Sequence, residues 1–138
     1  MSGVAAARLE AGAPSETRGQ RRSRLALAAV MVTAGILHFV IPDTYARIVP
    51  RGLGDARAIV YVSGVAEAAA GVLLASSRTR RLGGWCTAAV LVAVFPANVQ
   101  MALDARSDGG AVQVAVAWLR LPLQVPLVLW ALRHARRR

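Results

Sequence analysis

At 138 residues, with 56% apolar and 17% charged side chains, the chain is one domain and too apolar for a typical soluble domain of its size. Its net charge of +10 does not argue for nucleic acid, because nearly all the arginines lie between or outside the apolar runs, not on a polar face with stacking side chains interleaved. Cys86 is the sole cysteine, which excludes an intrachain disulfide and a paired-thiol redox motif and leaves a packing residue.

In chain order, residues 1–24 read as a disordered basic tail, rich in Ala, Gly, Ser and Pro and ending in Arg21, Arg22 and Arg24. These arginines abut the apolar run 25–41. A basic region before an apolar one also describes a signal peptide, but three more apolar runs follow, so the segment is kept as the first span. Pro42 ends it, since proline brings no amide hydrogen and disfavours helix in the residue before it. The stretch from Pro42 to Arg57 is too polar to span; it is read either as a segment lying on the membrane surface or as a solvated loop.

The second span, 58–75, is long enough for a bilayer core and carries one charge, Glu67. Ser63, Glu67 and Gly71 recur every four residues, with Gly64, Ala68 and Ala70 beside them, so this face admits a close neighbour. The third span, 82–103, contains Pro96, which should kink it and release the Val92 carbonyl, and it places Asn98 and Gln100 in its last third. In the fourth, 112–132, Gln113, Ala117, Arg120 and Gln124 share one face. Pro122 and Pro126 should free the carbonyls of Trp118 and Pro122 as acceptors that a guanidinium could use. Residues 133–138 form a basic tail. The expected fold is therefore an all-α, four-helix transmembrane bundle.

Eleven arginines flank the helix ends on the side of the termini and four flank the other ends, which puts both termini in the cytoplasm. With that orientation Glu67 and Arg120 lie about 12 to 14 Å from the outer edge, at about 1.5 Å per residue. They are expected to form a structural ion pair, because a lone carboxylate at that depth is expensive. His38 and Asn98 sit above them. The four residues are a candidate ligand-binding cluster open to the outside, with His38 as its titrating member. Haem ligation by two histidines is disfavoured, since His38 and His134 lie at opposite ends of the bundle, and His38 with Glu67 makes too few ligands for a metal site. No catalytic residue is assigned.

The blocks GILHF (35–39) with Pro42, IVP (48–50), SGVAEAAAGVLL (63–74), FPANVQMAL (95–103) and RLPLQ (120–124) occur in an order that resembles the DoxX-like membrane proteins. The resemblance covers about residues 35–131 and implies a four-helix bundle in the bacterial inner membrane. Some DoxX relatives are subunits of a thiosulfate:quinone oxidoreductase, others are linked to membrane complexes that handle oxidative and thiol stress, and distant animal relatives are receptor assembly factors. The resemblance thus implies an accessory subunit of a membrane redox complex, not an enzyme on its own, with a quinone as its candidate ligand. The other reading is an assembly partner that binds membrane proteins through its small-residue faces and outer loop and takes no small molecule.

Overall fold

The computed structural model describes residues 16–108 and 110–136. The chain forms α1 (Arg18–Val40), α2 (Pro42–Ala46), α3 (Ala56–Ala75), α4 (Arg80–Ala93), α5 (Phe95–Asp108) and α6 (Ala111–Arg136). Four helical segments, with α4 and α5 counted as one broken span, are long and apolar enough to cross a membrane. The protein is thus an all-α, multi-pass membrane protein, and its exposed valines and leucines face lipid.

α1 begins at Arg18, seven residues before the apolar run, because Thr17 and Gln20 form a reciprocal capping box. Residues 16–24 are therefore helix and cap, not disordered tail; the rest of that expectation, residues 1–15, lies outside the described residues. Arg24 is almost fully buried, at 2% exposure, and its guanidinium donates to the Leu74 carbonyl at 2.7 Å and to that of Ala75. These are orphan acceptors at the end of α3, where the helix dipole is negative. Glu16 holds the other edge of the guanidinium at 2.8 and 2.9 Å, and Thr79 Oγ1 donates to the Leu73 carbonyl at 2.7 Å.

α1 packs along α3, α3 against α4, and α4 and α5 against α6, with slight contact between α1 and α6. The small-residue face of α3 meets α1 so closely that a Cβ on Gly35 would lie 2.6 Å from the Gly64 carbonyl oxygen. Gly84 does the same for α4 and α6, where a Cβ would stand 2.6 Å from the Ala135 amide nitrogen. The C-terminal segment is accordingly helix through Arg136 with His134 and Ala135 buried, which corrects the expectation of a basic tail from residue 133. The core, Leu27, Ala28, Leu74, Ala88 and Ala131, sits in the half of the bundle nearest the termini. There the Trp130 indole donates to Ser23 Oγ at 2.7 Å, and Ser23 lies 3.5 Å from His134 Nε2.

At the other end the chain leaves α1 at Ile41, turns through α2, and enters α3 by way of Gly52 and Gly54, both at φ 99°, a conformation cheap only for glycine. Asp55 caps α3 by accepting from the amides of Arg57 and Ala58 at 2.9 and 3.3 Å. An Arg57–Asp43 ion pair ties the start of α2 to that of α3.

Candidate ligand site

Between α1 and α3 on one side and α4, α5 and α6 on the other lies a cavity of about 640 Å³. His38, Glu67, Asn98 and Arg120, the four residues singled out from the sequence, all line it. Tyr45, Ile48, Val49 and Pro50 also line it, so the segment after α1 covers the cavity and is not a plain solvated loop.

Glu67 is buried at 6% exposure and accepts a hydrogen bond from Ser63 Oγ at 3.1 Å, one helical turn away. Its ion-pair partner is His38, whose Nε2 stands 3.6 Å from Glu67 Oε1. The expected Glu67–Arg120 ion pair is not formed; among the described residues no ion pair includes Arg120. The reason is depth. α3 begins at Ala56, two residues earlier than its apolar run, while α1 stops at Val40 and packs Gly35 on Gly64, so His38 falls level with Glu67 and not above it. His38 is itself buried at 7% exposure, and its ring stacks on Tyr45 with centroids 3.9 Å apart.

The other ring nitrogen fixes the tautomer. His38 Nδ1 lies 2.7 Å from the Ala34 carbonyl oxygen, which can only accept, so Nδ1 carries a hydrogen and Nε2 faces the carboxyl. Nε2 and the carboxyl can then share a proton, as imidazolium with carboxylate or as neutral imidazole accepting from a protonated Glu67.

Pro96 breaks the third span at Val94, as its missing amide hydrogen requires: it leaves the Val92 carbonyl without its usual donor. Asn98 follows directly. Its Nδ2 donates to Gln124 Oε1 at 3.1 Å, and Gln124 Nε2 in turn donates to the Leu91 carbonyl beside the break. This relay through two buried amides, at 8% and 7% exposure, joins the kink to α6. Gln100, the other amide expected here, instead donates to Asp104 at 2.7 Å.

Arg120 is exposed, and its nearest polar contact is the Met101 thioether, 3.9 Å from Nη1. It does not use the carbonyls freed by Pro122 and Pro126. It is near enough to Glu67 and Tyr45 to act on both electrostatically. Burial pushes the Tyr45 phenol above its ordinary value, and the Arg120 charge works against that shift.

Tyr45, Ser63 and Gln124 complete the site beyond the four expected residues. Ser63 and Gln124 were legible as members of the same helix faces as Glu67 and Arg120, whereas the stacking of Tyr45 on His38 needs the fold of α2. A family model described as a domain of unknown function (DUF8561) matches residues 27–135. Its description names no activity. No curated protein and no solved structure matches.

Proposed function

The chain belongs to the DUF8561 family, and from the geometry of its site we propose that it binds a lipid-soluble, quinone-like molecule with a small polar head group inside the membrane. The observation that carries this is the convergence of His38, Glu67, Asn98 and Arg120, from four different helices, on one cavity. Its volume, about 640 Å³, falls within the range of small-molecule sites, and its wall is mainly aliphatic with a few polar groups, as a ligand with an apolar body requires. Intramembrane ionisable groups are costly to keep, by about 2.5 to 3.5 kcal/mol each on insertion scales, which favours a working site over ornament.

The protein serves, in this reading, as an accessory subunit of a membrane redox complex in the bacterial inner membrane, in keeping with its DoxX-like sequence blocks. Both ends of the described chain lie at one end of the bundle, where Ser23 meets Trp130 and His134. The arginine distribution makes that end cytoplasmic, so the cavity lies in the outer half. The rival reading as an assembly partner relied on free small-residue faces and on the outer loop. Those faces are used within the chain: Gly35, Gly64 and Gly71 between α1 and α3, Gly83 and Gly84 against α3 and α6.

The test is solvent extraction of protein purified in mild detergent, followed by chromatography with ultraviolet detection. A quinone at close to one per chain is expected. Its absence, together with failure of added short-chain quinone to bind, would turn preference to the assembly partner.

A further inference from the structure

We propose that the ligand of this cavity carries an acidic head group and is held there as its anion by Arg120. This rests on the binding reading above and narrows it to a class: lipid-soluble carboxylic acids, or ring systems with an ionisable hydroxyl.

The argument is one of charge. The carboxyl of Glu67 is already committed to His38 at 3.6 Å and to Ser63 at 3.1 Å. The Arg120 side chain is a guanidinium cation. Its contact with a thioether at 3.9 Å neutralises nothing. The mainly aliphatic wall of the cavity therefore carries a guanidinium that has no ion-pair partner among the described residues, about 13 to 14 Å along α6 from Ala111 at 1.5 Å per residue. Such a charge is stable in hydrocarbon only with a counter-ion or water. Among the described residues no carboxylate stands within ion-pair distance of it, and an anionic occupant would supply one.

The donor inventory agrees. Asn98 gives one N–H to Gln124, and Gln124 gives one to the Leu91 carbonyl. The charged donor on the wall that can meet a head group is the guanidinium fork of Arg120, with the Tyr45 hydroxyl as a neutral donor beside it in the lining. A fork with two parallel N–H groups suits two adjacent oxygens sharing a negative charge.

A matched pair of probes separates this inference from the reading it rests on: a 2-hydroxy-3-alkyl-1,4-naphthoquinone and its 2-methoxy ether. The first is acidic and changes colour when it loses its proton to the medium; the second is neutral. Binding to the purified protein in lipid nanodiscs should show the hydroxy compound bound as the coloured anion and at least tenfold tighter than the ether. Arg120→Gln should weaken it roughly 10- to 150-fold, the factor for a charge-assisted hydrogen bond, and leave the ether within about threefold. Arg120→Lys should retain the coloured form.

The ligand's own colour is the readout because His38, Tyr45 and Glu67 also face this cavity and would blur a pH profile of affinity. Equal affinity for both probes without the colour change would overturn the acidic head group and leave the binding site standing. Failure of both to bind would overturn the two together. If the Arg120 variants do not fold, the comparison of probes on the unaltered protein decides alone.

Discussion

Arg24→Met should destabilise the protein by about 2 to 4 kcal/mol, whereas Arg22→Met, two residues away and exposed, should change stability by less than about 0.5 kcal/mol. Methionine keeps the apolar stem of Arg24, so the loss isolates the guanidinium. That group serves two helix-terminal carbonyls, Leu74 and Ala75, and both oxygens of Glu16. Each carbonyl left without a donor costs about 1 kcal/mol or more, and breaking a buried ion pair costs about 3 to 5 kcal/mol. The second figure must be discounted, because Glu16 keeps 14% of its side chain exposed and water can reach it. The assay is unfolding by sodium dodecyl sulfate or heat in a fixed detergent, with circular dichroism as readout.

The pH dependence adds a check. The Arg24 guanidinium hydrogen-bonded to Glu16 holds its carboxyl below the ordinary value. This contribution is fully present above the unfolded value, near 4.3, and is lost as pH falls through the lower folded one. The unaltered protein should lose it below about pH 4, and Arg24→Met should lack it throughout. Ten of the eleven arginines on the terminal side remain in the variant, so topology should not change. Equal stabilities for Arg24→Met and Arg22→Met would refute the cap and restore Arg24 as a mere topology signal.

Double-mutant cycles should give coupling of about 1 to 2 kcal/mol between His38→Ala and Glu67→Gln, modest because 3.6 Å is long for a hydrogen bond, and under about 0.5 kcal/mol between Glu67→Gln and Arg120→Gln. The reverse order would reinstate the Glu67–Arg120 pair. Gly64→Ala should cost about 1 to 3 kcal/mol, since its Cβ would fall 2.7 Å from that of His38, while Gly19→Ala, which meets nothing within 4 Å, should be neutral or stabilising; equal melting temperatures would show that α1 and α3 are not in close contact. Reporters at both termini should prove cytoplasmic and one between Asp104 and Ala111 external, as protease protection in membrane vesicles would reveal.

The spans were legible because apolar length dominates their energetics, and Pro42 and Pro96 ended or broke helices where their missing amide hydrogens demanded it. The start of α1 was legible too, in Thr17 and Gln20 at capping-box spacing, but the composition of the preceding residues masks it. Burial of Arg24 was not. An arginine flanking an apolar run is ordinarily solvated, and only the arrival of the α3 C-terminus beside it creates a partner. The partner of Glu67 went astray for a related reason. Depth counted along each helix assumes that all begin at one plane, yet α1 ends short of α3, and the covering segment takes His38 out of the interface and into the wall.

The two halves of the bundle differ in what separates the helices, and this explains why the cavity lies where it does. Near the termini, Gly83 and Gly84 let α4 approach α3 and α6 to backbone contact, and the core residues there are small or tightly packed. Toward the other end the third span breaks at Val94, and Asn98 and Gln124 hold the broken segment to α6 and not to α1 or α3. α1 and α3 stay together through Gly35 and Gly64. The result is two helix pairs joined near the termini and parted beyond the kink, with α2 and the following residues laid over the gap. Filling that gap with aliphatic side chains would need no histidine, glutamate or arginine. The chain instead directs into it the His38–Glu67 pair and the Arg120 guanidinium, which has no ion-pair partner among the described residues, an arrangement whose cost in hydrocarbon an occupying anion would offset.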